Sequence, residues 1–396
     1  MDNWEELIFD ELIEDKLIGL VRNTKQQSFD FEFDYLKMNN ITNDGKLNLK
    51  DLVKVNASTD EVEKYKLQKG DFLFNTRNSI ELVGKTAIYD FESSKALLFN
   101  NNIMRSRFKS DFDPYFINYQ FQSSEFQERL EKIKSGTTSV AAIYYKSLRD
   151  IKLKFPPLPE QQRIVAKLDG LFAKIDKALS LLEANIEHTQ ALMGSVLDEE
   201  LSNLEEICLK VKVKDVVKLS RGHNPPKKDF IYEPKEDYVR FLQIRDGTSD
   251  KNACYVPITK KLHLVTKNDL LLVAYRHVGK VFRNMEGAFN VALCKLENLD
   301  ESKLNMTYMF YLVQSKYIKG ELLKRSERAL IPSMSVDHLK SLKIPFPDIK
   351  KQNKLALKFE NVSKLSKKLI KIQTKKLNHL KALKSSLLDQ AFKGEL

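Results

Sequence analysis

Laid on itself with an offset of 191 residues, this chain repeats: Leu148–Asp198 aligns with Leu339–Asp389 without a gap. Identities under that offset include Lys152 with Lys343, Phe155 with Phe346, Pro156 with Pro347, Gln161 with Gln352, Lys167 with Lys358 and His188 with His379. Toward the end come Leu192 with Leu383, Ser195 with Ser386, Leu197 with Leu388 and Asp198 with Asp389. Two Lys/Leu-rich helices alike by chance would not keep a Phe-Pro pair at one end and a Ser-x-Leu-Asp at the other in register. The chain is a tandem duplication, and its fold must be built from two related halves.

Each copy opens on a short alternating pattern, Ile151–Phe155 and Leu342–Phe346, that reads as a strand. Prolines then stop the strand and pre-set a helix's first turn. Beyond them apolar residues step by threes and fours: Ile164, Leu168, Leu171, Ile175, Leu182, Ile186, Met193 and Val196 in the first copy. In the second they are Leu355, Phe359, Val362, Leu365, Leu369, Ile372, Leu380, Leu383 and Leu387. Such spacing draws one apolar stripe along a helix on the order of 60 Å long. A helix cannot bury a stripe against itself, but two duplicated ones can bury theirs against each other as an antiparallel pair.

The remaining sequence forms two blocks, about 1–150 and 205–340, of mixed character. β-like runs (Asp71–Phe74, Thr86–Tyr89, Tyr238–Ile244, Asp269–Tyr275) alternate with expected helices around 114–134 and 307–325. The blocks echo each other: Lys69-Gly70-Asp71-Phe72-Leu73-Phe74 followed by Val83-Gly84-Lys85 resembles Lys267-Asn268-Asp269-Leu270-Leu271-Leu272 followed by Val278-Gly279-Lys280. The reading is an α+β chain of two pseudo-symmetric globular domains, 1–155 and 204–346, joined by two long antiparallel coiled-coil helices, 156–203 and 347–396. A length of 396 residues suits two or three domains. With 66 Lys+Arg against 54 Asp+Glu the net charge is +12, which favours a polyanionic partner. Cys208, Cys254 and Cys294 are too far apart for a metal pair or a disulfide framework, and read as small buried residues in a reducing compartment. The acidic start, Met-Asp-Asn-Trp-Glu-Glu, does not read as a signal peptide, and no apolar run reaches membrane-spanning length. A cytoplasmic protein is expected.

Phe155-Pro156-Pro157-Leu158-Pro159-Glu160-Gln161-Gln162-Arg163-Ile164 resembles the P-x-P-L-x-E-Q-x-x-I start of the first spacer helix in specificity subunits of type I restriction-modification systems. Ser195–Asp198 and Ser386–Leu396 resemble that family's helix ends, and the resemblance covers essentially the whole chain. The second copy departs at Asp348-Ile349-Lys350-Lys351-Gln352, which keeps Gln without the preceding Glu. The first block opens on Glu5-Glu6-Leu7-Ile8-Phe9-Asp10 and lacks the Arg-Gly-x-x-Pro-Pro segment found at Arg221–Pro226. The resemblance implies a chain without catalytic chemistry of its own. Each block would be a target recognition domain for half of a bipartite double-stranded DNA site, and the helix pair a ruler for the unread spacer. Two modification subunits, which bind S-adenosylmethionine and methylate adenine, would dock on it, and restriction subunits would complete the nuclease. No cofactor is expected in this chain itself.

Base-edge readout needs Arg, Lys, Asn, Gln and hydroxyls on a rigid frame. In the first block the candidates are Asn75, Thr76, Arg77 and Asn78 with Lys85, Arg77 being the best guanine reader, and Ser135, Thr137 and Thr138 in a second loop. In the second block they are Arg221, Asn224, Lys227 and Lys228, then Tyr275, Arg276, His277 and Lys280, with Tyr275-Arg276-His277 placed where Thr76-Arg77-Asn78 stands. Arg325, Arg328 and Ser333 parallel the Ser135 loop. Ordinary polar turns are the competing reading of these clusters. The twelve lysines of the second long helix read first as a solvated face, and alternatively as a surface for the DNA spacer or an acidic partner.

Fragments that mimic catalytic motifs fail on inspection. Asn224-Pro225-Pro226 is followed by Lys227, where an adenine methyltransferase needs an aromatic residue, and no Gly-rich cofactor loop precedes it. Gly84-Lys85-Thr86 has Ser79 where a phosphate-binding loop needs its first glycine. The six histidines form no H-x-x-x-H pair. A fused enzyme would need a site that is not found, and a coiled-coil adaptor blind to DNA fits poorly with a net charge of +12 and two duplicated β-rich blocks.

Overall fold

The computed structural model describes residues 4–93, 95–323 and 333–396, and its contacts resolve into two compact units. One holds the chain up to Leu181 together with Lys376–Leu396, the other Leu182–Lys375. Both boundaries fall inside long helices, Leu158–Ile207 and Ile349–Phe392, so each unit owns the start of one and the end of the other.

In the first unit an antiparallel sheet runs in the order Ile13–Ile18, Ile103–Phe108, Asp71–Asn75, Thr86–Tyr89. A second sheet sets Phe33–Leu36 between Val53–Val55, antiparallel, and Leu97–Phe99, parallel. Glu5–Ile8 pairs with Lys152–Phe155 just before the long helix. The second unit repeats this order with Val217–Arg221, Leu293–Asn298, Leu270–Val273 and Val281–Arg283. Tyr238–Leu242 again sits between an antiparallel neighbour, Tyr255–Pro257, and a parallel one, Gly287–Phe289, and Lys210–Lys212 pairs with Lys343–Pro345. The Arg-Gly step at Arg221-Gly222 does have a counterpart in the first unit, Ile18-Gly19. Backbone Leu20 N–H reaches Phe99 O as His223 N–H reaches Phe289 O. A Cβ at Gly19 would lie 2.3 Å from Asn100 O and at Gly222 2.1 Å from Phe289 O, so both positions need glycine for close backbone approach.

The helical region expected around 114–134 is two helices, Pro114–Gln122 and Ser124–Ile133. Asp113 caps the first through Tyr115 N and Phe116 N, and Pro114 occupies the first turn, where its missing N–H costs nothing. The break is Ser123, whose hydroxyl donates to Gln120 O and accepts from Phe126 N. The second unit has the same device: Asn305 caps Met306–Val313, and the Ser315 hydroxyl donates to Leu312 O and accepts from Ile318 N. Two duplicated side chains lock these helices to the long ones. Gln161 accepts from Asp113 N–H at 2.9 Å and donates to Asp111 O and Pro156 O. Gln352, fully buried, accepts from Asn305 N–H at 2.9 Å and donates to Lys303 O and Pro347 O. Asp389 receives the Ser124 N–H at 2.9 Å, and Asp198 the Lys316 N–H at 3.0 Å. The repeated Gln and Asp are therefore joints between elements.

Each core takes in both long helices. Phe9, Phe72, Phe108 and Phe121 pack ring on ring in the first unit, with Phe72 and Phe121 5.1 Å apart, and join Leu168 and Phe172 from one helix and Leu388, Ala391 and Phe392 from the other. In the second, Tyr308 and Leu312 pack with Leu197, Leu201 and Leu204 and with Leu355, Ala356 and Phe359. The antiparallel pairing carries Asp176–Lys384 at 2.7 Å in the first unit and Glu200–Lys358 in the second.

The apolar stripe read for the second helix needs correction. Leu365, Leu369, Ile372 and Leu383 are 42–60% exposed, whereas Ser366 is buried and Gln373 meets Thr189. The ends decide the face. Phe359 and Leu388, each fixed in a core, stand 29 residues apart, about eight turns, and therefore share one side. Positions between them on that side include Ser366, Ile370, Gln373 and Leu377, so counting leucines picks the wrong flank there.

Replacing Gln352 by Ala strands the Asn305 N–H and two carbonyls in a dry site and should cost about 3 kcal/mol, read as a lower urea midpoint at unchanged m. Asp176 supplies a pH test. Burial alone would raise its carboxyl, but hydrogen bonds from Lys384 and Lys46 outweigh burial and hold it below its ordinary value. A depressed carboxyl stabilises the folded state above its unfolded value and loses that contribution as pH falls. Asp176→Asn should therefore lower stability by about 1–2 kcal/mol at neutral pH. The gap to the parent protein should close below about pH 3.8 in paired melts.

Candidate nucleic-acid interface

The loop after Asp71–Asn75 and the loop at Ser135, far apart in sequence, form one surface. Arg77–Asn78 pairs antiparallel with Ala141–Ala142, which pairs with Ser135–Gly136. The Ile80 N–H reaches Thr138 O at 3.1 Å, and Ile143 N–H reaches Thr76 O at 3.0 Å. This three-stranded ribbon exposes Arg77, Ser135, Thr137 and Thr138, while Thr76 is half-buried. Arg77 makes no side-chain hydrogen bond or ion pair with a described residue, so its five donors are free.

Two candidates do not belong to that surface. Asn75 is fully buried; its amide donates to Arg77 O and Asn102 O, and its oxygen accepts from the half-buried Asn78 amide, each at 3.1 Å. Lys85 turns inward and gives its ammonium to Met38 O and Ile41 O, and burial lowers its pKa. Asn75 is thus spent on the backbone and Lys85 on a neighbouring loop. Exposure of Val140 (69%) and Tyr144 (55%) on the same ribbon went unread in sequence. A Val before an Ala-Ala strand pattern and a Tyr after it read as core, and only the ribbon's position at the edge puts them outside.

In the second unit the equivalent backbone runs one residue out of step with the expected alignment. Val273 N–H reaches Lys280 O as Asn75 N–H reaches Lys85 O, and Met334 N–H reaches Ala274 O as Ile143 N–H reaches Thr76 O. Tyr275-Arg276-His277 therefore stands where Arg77-Asn78-Ser79 does. Tyr275 bridges to Ser333, and the Arg221 guanidinium donates to Met334 O at 2.7 Å, so three segments predicted separately meet. Tyr275, Arg276, His277 and Ser333 are exposed, with Arg276 held at φ +63° against the Tyr275 ring. Lys280, unlike Lys85, is exposed and lies over the Phe282 ring at 5.3 Å. Asn224, Lys227 and Lys228 are exposed on the segment after Arg221, where Asn224 accepts from Val291 N–H at 3.2 Å. Arg325 and Arg328 lie outside the described residues.

Among the described residues no cluster of three or more His, Cys, Asp or Glu is placed to hold a metal, and no helix is long and apolar enough to cross a membrane. Two surfaces remain, one in each unit, each with exposed guanidinium and hydroxyl groups on a strand-braced loop. Gly136 shapes the first: its φ is +126°, and a Cβ there would lie 2.3 Å from Val140 O. Gly136→Ala should cost about 1–3 kcal/mol locally. It should open the Thr137–Val140 turn, seen as faster amide exchange at Thr137 with the central sheet still protected.

A family model for the type I restriction modification DNA specificity domain matches residues 1–184 and again 208–382. The MjaX type I restriction enzyme specificity subunit of Methanocaldococcus jannaschii is 24% identical over 362 residues, covering 85% of this chain and 81% of that protein. The EcoBI specificity subunit of Escherichia coli is 24% identical over 305 residues, 67% of this chain and 63% of its own. A solved structure from work on complex assembly and conformational transition of the type I R-M system superposes with a TM-score of 0.80 at 19% identity, covering 100% of this chain and 98% of that one. The HsdS subunit of Thermoanaerobacter tengcongensis gives 0.58 at 20% identity, covering 100% and 97%. At these identities the structural likeness concerns the fold.

Proposed function

Since this chain belongs to the family of type I restriction-modification DNA specificity subunits, non-catalytic parts of their complexes, we propose that its two ribbon surfaces each read one half of a bipartite double-stranded DNA site. The observation that carries this reading is the recurrence, at the same place in both units, of an exposed polar loop braced by a strand. Arg77 is a bidentate guanine reader in the first, with Ser135, Thr137 and Thr138 beside it, and the exposed Tyr144 and Val140 suit apolar contact with a thymine methyl. Tyr275, Arg276, His277 and Ser333 take the corresponding role in the second, and Asn224, Lys227, Lys228 and Lys280 supply backbone contacts whose strength falls with salt. Asn78 and Arg221 act mainly by holding these loops.

The long helices fix the spacing of the two halves and dock two modification subunits, which carry S-adenosylmethionine and methylate adenine; restriction subunits complete the assembly. Support for docking comes from the second helix, where exposed Leu357, Leu365, Leu369 and Ile372 alternate with exposed Lys354, Lys364, Lys368 and Lys371. An apolar row of this kind framed by cations suits an acidic protein surface better than open water. The complex would work in the cytoplasm, on chromosomal DNA.

Co-expression with the modification subunits, followed by mapping of methylated adenine, tests the reading. Methylation should fall on one two-part sequence with a constant gap. Removing seven residues from the middle of both long helices, about 10.5 Å of helix, should abolish methylation at that gap. Unchanged methylation after the deletion, or methylation of a continuous site, would overturn the ruler.

A further inference from the structure

We infer that Asn75 is a positioning residue for DNA reading: it never reaches a base, and it sets the aim of Arg77. The inference rests on Arg77 being a reader. Asn75 ends the central strand Asp71–Asn75, fully buried, and its backbone is fixed on both sides by Lys85 O and by Gly84 N–H. Its side-chain amide holds two carbonyls at once, Arg77 O and Asn102 O, both at 3.1 Å. One belongs to the reader itself, the other to the turn whose backbone oxygen also receives Thr76 N–H at 2.8 Å. The Asn75 oxygen accepts from Asn78, and the Asn78 oxygen in turn accepts from Ser79 N–H at 2.9 Å. A single buried amide thus fixes the peptide after the Arg77 side chain, the turn beneath it and the residue beyond it.

That bracing matters because a bidentate guanidinium contact tolerates little angular error, and Arg77 has no partner of its own to hold it. The second unit solves the same problem otherwise. Val273 stands at the place of Asn75 and its side chain offers no hydrogen bond, and there Arg221 on the edge strand reaches across to Met334 O at 2.7 Å. The corresponding edge residue of the first unit is Ile18, which cannot donate. Among the described residues, a polar side chain thus braces each loop, from the central strand in the first unit and from the edge strand in the second. Swapping them in one unit only should loosen one half-site only.

The test uses the complex with its modification subunits and duplexes in which each base pair of both half-sites is varied in turn. Arg77→Ala identifies the position that Arg77 reads, where the parent protein should discriminate roughly 5–150-fold. Asn75→Val should reduce discrimination at that position to within about threefold, leaving the other half-site untouched. Asn78→Ala, a milder change at a half-buried site, should reduce it part of the way and keeps the test informative where Asn75→Val folds poorly. Full discrimination in both variants overturns the inference, and so does an even loss across every position of the half-site, the mark of a merely structural role. If Arg77→Ala alters no base preference, Arg77 is not a reader and the inference falls with that premise, an outcome distinct from a failure of Asn75 alone.

Discussion

The Asp at the end of each long helix caps a helix that lies in the other half of the sequence. Asp389 holds the start of Ser124–Ile133, and Asp198 the start of Lys316–Leu323. Either carboxylate does what a local cap would do, occupying an N–H that the helix cannot satisfy itself and meeting the positive end of its dipole. The cap arrives from about 120 or 265 residues away in sequence. Neither globular block closes its core alone: Leu388, Ala391 and Phe392 complete the first, and Leu197, Leu201 and Leu204 complete the second. Because each core needs one helix's beginning and the other's end, the helices must run antiparallel and their length is set at both ends.

This explains why some features were legible in sequence and others were not. Residues that recur under the 191-residue offset proved to be joints: Gln161 and Gln352 make the same three hydrogen bonds, and Asp198 and Asp389 the same cap. Duplication preserves such side chains because several backbone groups depend on each at once. The runs Phe72–Phe74 and Ala87–Tyr89 were readable for a similar reason, being buried on both faces and therefore apolar at successive positions. The stripe of the second helix was misread because its middle is not governed by burial. Between the anchored ends Ser366 and Gln373 face inward while Leu365 and Leu369 face outward, a pattern that local hydrophobicity cannot order.

At the candidate interface the sequence located the loops and missed their division of labour. Asn75, Thr76, Arg77 and Asn78 look alike as a run of hydrogen-bonding side chains. Strand alternation separates them: Asn75 continues the buried central strand, Arg77 projects from the exposed ribbon, and Asn78 folds back to Asn75. Lys85 and Lys280 occupy matching places after a glycine with positive φ, yet one ammonium turns in to backbone carbonyls on a half-buried side chain and the other side chain is exposed. What differs is the neighbouring loop, since Met38–Ile41 supplies oxygens to Lys85. That difference is tertiary, and no local pattern announces it.

The separation of buried joints from exposed loop side chains has a physical consequence for how freely those loops can change. The caps and the buried glutamines tie the long helices to neighbouring elements, whereas Arg77, Thr137 and Thr138 are exposed on the ribbon. Exposed loop substitutions disturb stability by little, whereas a change at a joint orphans buried polar groups. Arg77, Thr137 and Thr138 could therefore be exchanged for other side chains at small cost, provided the brace beneath them still fits. The braces themselves already differ between the two units, Asn75 in one and Arg221 in the other, on the same strand order. A frame that is braced from its central strand in one unit and from its edge strand in the other does not dictate the chemistry of its loops. Exposed loops on it can diverge while the buried joints that tie them to the long helices stay fixed.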